Sequence, residues 1–195
     1  SLKVLAVANP EDIILINDID EIPNLDGLDF RKINKKIIIF KQKIFYYKFN
    51  LVYPHVYWYG SKACKKKNFI SPQWLRDTKH RKYPLWRLDI LFSKRKYHDI
   101  YYVENGGWHF TSIKSPQDIY NKLTTFAHHY EFESSGIKLE DIQKMIKEKK
   151  VMYDHSVDQR GNKWKGEKTL QTIKMEEMPK YIFENIEKYK HWLDL

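Results

Sequence analysis

Residues 18–23 read Asp-Ile-Asp-Glu-Ile-Pro, with Asp18 and Asp20 two positions apart. On an extended strand both side chains would leave the same face. Two converging carboxylates offer hard oxygen ligands to Mg²⁺ or Mn²⁺, with water and substrate phosphates completing the shell. A cation held there and bridging a diphosphate would offset the charge that builds on a leaving nucleotide. Spacing alone carries little weight, because 13 Asp in 195 residues give roughly one such pair by chance. Position adds weight. Asp12-Ile-Ile-Leu-Ile-Asn17 runs straight into the motif, a short apolar run that reads as a strand covered on both faces of a mostly parallel sheet. Ligands bind at such strand ends in open α/β sheets. The alternative is an acidic turn whose carboxylates accept from backbone amides.

A second cluster is Gly106-Gly107-Trp108-His109-Phe110-Thr111. Paired glycines permit close backbone approach, useful beside a sugar or phosphate. Trp108 could stack on a sugar face, and neutral His109 could meet a metal, a phosphate or a hydroxyl. The competing reading is a hairpin corner followed by a core Trp and a hydrogen-bonded His. His128-His129-Tyr130-Glu131 ends the helix that follows, where a His and a Glu could bind metal or act as base and orienting partner. A polar helix terminus accounts for the same residues. No H-E-x-x-H spacing points to zinc.

These residues need a scaffold, and the pattern around them supplies one. Segments 36–40, 43–53 and 56–61 are rich in Ile, Phe, Tyr and Val and predict successive strands, with further strands at 90–93, 100–103 and 108–113. Pro23 is expected to stop the first strand. Ser71-Pro72 and Ser115-Pro116 open helices, serine capping and proline fitting the first turn, and Asp118 suits the positive end of the second. Ile119, Leu123 and Phe126 give that helix an apolar stripe. Helices are also expected at 139–149 and 179–192, with a polar loop over 154–174, and residues 2–8 read as the tail of a helix. No repeat or boundary interrupts the chain, so a single α/β domain over 1–195 is expected.

Composition bounds the function. The chain has 195 residues, 42% hydrophobic and 15% aromatic, enough to bury a core. The net charge of +10 calls for an anionic partner, but lysine dominates the excess, without the arginine forks expected of base readout. A nucleic-acid binder, suggested by the basic and aromatic stretches 62–67 and 81–96, lacks any recognised motif, and no nucleic-acid partner is expected. Cys64 stands alone, which excludes an intrachain disulfide and a thiolate metal site. No apolar run reaches the ~18 residues that span a bilayer, so no membrane segment is expected here.

Taken together, Asp18–Pro23, Gly106–Thr111, Lys122–Glu131 and Met178-Pro179-Lys-Tyr-Ile resemble, in order and approximate spacing, glycosyltransferase family 17. That family includes the enzymes that add the bisecting N-acetylglucosamine of N-glycans. The resemblance covers the chain from about Asp12 onward. It implies an A-type glycosyltransferase fold, a Rossmann-like mixed sheet flanked by helices. It also implies a UDP-N-acetylglucosamine donor, a glycan or glycoprotein acceptor and inversion at the anomeric carbon. Asp18 would contact ribose or metal, and Asp20 would ligate Mn²⁺ or Mg²⁺ with Glu21 supporting the site. Gly106, Gly107, Trp108 and His109 would line the donor-sugar and acceptor pocket. Inversion needs a base for the acceptor hydroxyl; Glu131 is the first candidate, Asp89 and Glu104 the others. His128 or His129 would be a further metal or phosphate ligand, and Arg76 and Arg87 would clamp the diphosphate through their forks. Thr111 stands where the family carries serine. The nucleotide-binding strands of such a fold precede the metal motif, so residues 1–195 are expected to be its C-terminal part. A catalytically incompetent carbohydrate-binding module is the alternative. Animal members of the family act in the Golgi lumen.

Overall fold

Why the elements form where they do is clearest at Ile37–Phe40, where Ile-Ile-Ile-Phe makes strand β3 with every residue buried. The structure is a computed structural model that describes residues 2–125, 129–157, 161–164 and 167–195. Its fold is mixed α/β, with two sheets flanked by helices. The chain divides into two compact units, residues 1–42 with 58–108 and residues 43–57 with 109–195.

The first unit is built on a four-stranded sheet. Besides β3 it contains β1 (Ile13–Ile16), β6 (Lys62–Lys65) and β7 (Ile100–Val103), in the order β1-β6-β3-β7. β6 runs antiparallel to both neighbours and β7 parallel to β3, so the sheet is mixed. Alternation along β3 feeds two cores. Ile37 and Ile39 pack with Cys64, Trp74 and Leu75 on one face, and Ile38 and Phe40 with Ala63 and Ile33 on the other. Trp74 and Leu75 belong to helix α2 (Pro72–Asp77), which Ser71 caps by accepting from the Trp74 amide. Helix α1 (Leu2–Val7) precedes β1. Strand β2 (Glu21–Pro23) lies beside the start of β8 (Gly107–Thr111), where the Asn24 amide donates to the Gly106 carbonyl.

In the second unit β4 (Gln42–Tyr46) continues past Gln42 between β5 (Leu51–Trp58) and the His109–Thr111 half of β8, and the two-residue β9 (Gln171–Thr172) pairs with β5. Helices α3 (Pro116–Thr125), α4 (His129–Ser135) and α5 (Leu139–Lys147) follow, then α6 (Lys180–Glu184) and α7 (Ile186–Tyr189). Met178, Ile182 and Leu193 form a core with Phe49 and Phe110. Buried Asn50 clamps the C-terminal segment, its side chain donating to the Asp194 carbonyl and accepting from the Asp194 amide, both at 2.8 Å.

Several sequence expectations change. β1 is an edge strand, half-buried and paired antiparallel with β6, rather than a covered strand of a mostly parallel sheet. The strand predicted over 43–53 is two, broken where Tyr47 adopts a left-handed φ of 64° and the Lys48 amide turns back to the Tyr46 carbonyl. Residues 90–93 are not a strand but follow a 3₁₀ turn over Leu88–Ile90, in which only Ile90 is buried. The helix predicted over 179–192 is interrupted at Asn185, whose φ and ψ of −123° and 37° leave the helical region. Glu131 lies in the first turn of its own helix, α4, rather than at the end of α3. Phe126 and His128 lie outside the described residues.

Candidate functional site

The acidic motif is a turn. β1 ends at Ile16, and the Glu21 amide donates to the Asp18 carbonyl at 3.1 Å, closing residues 18–21. The expectation that Asp18 and Asp20 share a face because strand side chains alternate therefore does not apply. Two side chains lock this turn. Asn17 donates from its amide nitrogen to the carbonyls of Asp18 and Glu21 at 3.0 and 3.1 Å. Glu21, only 3% exposed, reaches back to accept from the Asp18 amide at 3.1 Å. Its carboxylate also accepts from the Ser61 hydroxyl at 2.9 Å and the Trp58 indole at 2.5 Å.

A buried carboxylate persists when hydrogen bonds replace its water, and Glu21 has three. Its neighbour must be glycine: a Cβ on Gly60 would fall 1.7 Å from Glu21 Oε1 and 2.4 Å from the Trp58 indole nitrogen. Glu21 thus supports the turn from inside, with both oxygens engaged by the protein.

Beside the turn lies an open cleft of about 260 Å³ lined by Asn17, Asp18, Glu21, Lys62, Gln73 and Arg76 among others. Asp18, half-exposed, is ion-paired with the Arg76 guanidinium across it. Lys62 is nearly buried and donates from Nζ to the carbonyls of Arg76 and Thr78, at 2.5 and 2.7 Å, capping the C-terminal end of α2. Burial pulls its ammonium down to about 8. Asp77 also lines the cleft, paired with Arg95 at 3.1 Å and accepting from Gln73 at 2.9 Å, so Asp18 and Arg76 are the pair whose mutual contact a ligand would replace. Asp20, partly buried in the same turn, is not among the residues that line the cleft.

Could this segment hold a divalent cation? Among the described residues no group of three or more His, Cys, Asp or Glu gathers as a cage. Mg²⁺-type sites need less, taking one or two carboxylates and drawing the other oxygens from water and substrate phosphate. Asp18 at the cleft is one such carboxylate; Asp20 lies in the same turn without lining the cleft, and Glu21 is committed elsewhere.

The other first-unit candidates have structural occupations. Arg87 does not line the cleft. Its fork grips Asp89 at 2.6 and 2.8 Å, and Lys96 adds a third contact at 3.2 Å. The Arg87 hydrogen bonds hold the Asp89 carboxyl well below the usual range, which makes it a weak base. Glu104 pairs with Lys41 at 2.8 Å on the surface and is lowered by that bond. Gly106 and Gly107 are explained by backbone packing. A Cβ on Gly106 would lie 2.3 Å from the Lys41 amide nitrogen. One on Gly107, whose φ is 110°, would lie 2.1 Å from the Ile22 carbonyl oxygen. Trp108 is half-buried, and its carbonyl accepts from Gln42 at 3.3 Å.

In the second unit Glu131 lines a cavity of about 330 Å³, walled by Tyr46, Ser112, Phe132, Tyr153, His155 and Trp164, with Lys122 also at its wall. Five rings, those of Tyr46, Phe132, Tyr153, His155 and Trp164, share the lining with aliphatic Ile119, Leu123 and Met152. Trp164 stands edge-on to Tyr153 with ring centroids 5.0 Å apart and contacts Phe132 at 5.4 Å, and Tyr153 meets His155 at 4.9 Å. The Tyr46 hydroxyl donates to the Tyr153 carbonyl at 2.8 Å. Burial, with a further push from His109, lowers His155 to about 4, so its imidazole is neutral near pH 7. Ser112 takes a left-handed φ of 56°, a conformation that concentrates at ligand sites. His109 is 6% exposed in β8, and the His129 ring meets that of Tyr130 at a tilt of 36° at the start of α4.

Sequence reasoning missed Trp58, Gly60, Ser61 and Lys62 around the turn, and Tyr153, His155 and Trp164 in the cavity. His155 and Trp164 were legible only as aromatics interrupting the polar loop over 154–174, and Tyr153 as the residue before it. Comparison of the chain with protein-family models, with curated proteins and with solved structures finds no match.

Proposed function

We propose that this chain forms part of a metal-dependent glycosyltransferase of family 17 type, moving N-acetylglucosamine from UDP-N-acetylglucosamine to a glycan hydroxyl with inversion. The finer fold reading, a Rossmann-like A-type domain, belongs to the same proposal. One observation carries it: a turn locked from inside by buried Glu21, carrying Asp18 and Asp20 directly after β1 and opening on a cleft with Arg76 on its wall.

In this reading Asp18 and Asp20 would hold Mn²⁺ or Mg²⁺, which would supply Lewis-acid neutralisation of the donor's pyrophosphate. Arg76 leaves Asp18 and offers its fork to phosphate oxygens. Glu21 keeps the turn in place without contacting substrate. On the acceptor side, the aromatic faces of Tyr153 and Trp164 suit the apolar face of a sugar ring. Glu131, in the second unit, is the candidate base for the proton of the acceptor hydroxyl.

Asp20→Ala in the full-length protein tests this directly. Turnover of UDP-N-acetylglucosamine should need Mn²⁺ or Mg²⁺ and fall at least about 100-fold in the variant, with an unchanged Tm. Equal turnover by variant and parent removes the metal role. A second reading is favoured by the aromatic cavity, which lies wholly within the second unit: a carbohydrate-binding module. Calorimetry separates the two, because oligosaccharide binding without metal-dependent UDP binding supports the module alone.

A further inference from the structure

Among the described residues of the first unit, residues 85–92 hold the densest run of large apolar side chains left in solvent, five of eleven. Leu85, Trp86, Leu88, Leu91 and Phe92 are 84%, 75%, 67%, 71% and 89% exposed, while Ile90 alone turns inward, at 4%. Scattered exposed leucines need no explanation, but five large apolar groups within eight positions do.

The exposure is built into the backbone. Successive turns bring the Arg87 amide to the Pro84 carbonyl, Ile90 to Arg87, Leu91 to Leu88 and Ser93 to Ile90, each at 3.1–3.2 Å. The base of the segment is tied down as well. The Lys79 amide donates to the Arg95 carbonyl at 2.7 Å, the Trp74 indole to the Lys94 carbonyl at 2.7 Å, and the Tyr102 hydroxyl to the His80 carbonyl at 2.6 Å. A segment held at its base and wound by its own hydrogen bonds presents its apolar tip at little further ordering cost.

The flanks are basic. Lys79, Arg81, Lys82, Arg87, Lys94, Arg95 and Lys96 surround the tip, with Asp89 the one acidic residue between 79 and 96. Arg81, Lys82, Lys94 and Arg95 are exposed. Asp89 is already neutralised by Arg87 and Lys96, so its charge does not oppose an anionic partner. An aliphatic and aromatic tip between cationic shoulders matches a bilayer interface, where side chains such as Leu, Phe and Trp enter the acyl boundary and Lys or Arg meet anionic headgroups. Nucleic acid would use the charge and stack on the aromatics, yet leave the three leucines without a role.

We propose that residues 79–96 form a docking loop for an anionic lipid surface, with Leu85, Trp86, Leu88, Leu91 and Phe92 inserting and the flanking Lys and Arg side chains binding headgroups. The test is co-sedimentation of the full-length protein with vesicles of phosphatidylcholine alone and of phosphatidylcholine mixed with phosphatidylserine. Binding should require phosphatidylserine and weaken as salt rises. It should fall at least about tenfold in the double variant Trp86→Ser, Phe92→Ser and in the charge variant Arg81→Glu, Lys94→Glu, both with parental Tm. The proposal is overturned by equal binding to both vesicle types, no binding to either, equal binding by parent and variants, or a concentration-dependent dimer that the Trp86→Ser, Phe92→Ser variant abolishes. Displacement of the protein from vesicles by a short single-stranded oligonucleotide that binds the parent more tightly also overturns it, in favour of nucleic acid.

Discussion

The two concave sites are built on opposite principles. The cleft beside the acidic turn is charged, and its shape is set by hydrogen bonds to a buried carboxylate: Glu21 collects the Asp18 amide, the Ser61 hydroxyl and the Trp58 indole. The cavity around Tyr153 and Trp164 is aromatic, and its shape is set by edge-on ring contacts. A hydrogen-bonded site is brittle, since removing one partner leaves a buried polar group unsatisfied. A ring-packed site yields more gradually, because dispersion is shared over many contacts. The first suits a ligand whose charge must be placed, the second a ligand recognised by its face.

Perturbing each site in turn sharpens the contrast. Gly60→Ala should do the greatest harm, because the added methyl would overlap the Glu21 carboxylate and the Trp58 indole together. We expect a loss of about 3 kcal/mol in denaturant unfolding. A parental midpoint would show that the turn is not held by this carboxylate.

Glu21→Gln keeps the shape but faces an NH₂ group toward donors. The expected loss is about 2 kcal/mol, and the cleft should lose whatever ligand it binds. An unchanged unfolding midpoint would move the brittleness elsewhere.

The smallest effect concerns the cavity. His155 titrates near 4 in the folded chain and near 6.5 when unfolded. Above about pH 6.5 both states are neutral there and the group costs nothing. Between about 6.5 and 4 the unfolded chain takes up a proton that the folded one refuses, so stability falls through that window. Solvent screening reduces the effect to the order of 1 kcal/mol. Tm against pH for His155→Phe should be flatter across that window; an identical slope would mean the ring is solvated.

Much of the local structure was legible from the chain. Ser71-Pro72 and Ser115-Pro116 mark helix starts by chemistry that needs no tertiary context, and the structure has the Ser71 hydroxyl accepting from the Trp74 amide and the Ser115 hydroxyl from the Asp118 amide. The segments 37–40, 100–103 and 107–111 are strands as their β-branched and aromatic content predicts. Glu131 was singled out by type and position, and it lines the aromatic cavity.

Other features depended on neighbours distant in sequence. Ile13–Ile16 and Ile37–Phe40 are almost the same apolar run, yet one is a half-buried edge and the other the fully buried centre of the same sheet. Composition determined that each is a strand; pairing decided how many neighbours each has. Likewise, the chain itself supplied the carboxylates at 18, 20 and 21. Only the fold, by bringing Trp58, Gly60 and Ser61 against them, assigned the third to hold the turn and left Asp18 facing the cleft. Local chemistry acts through adjacent backbone and is written along the sequence, whereas burial is a property of what packs against a residue and exists only once the chain has folded.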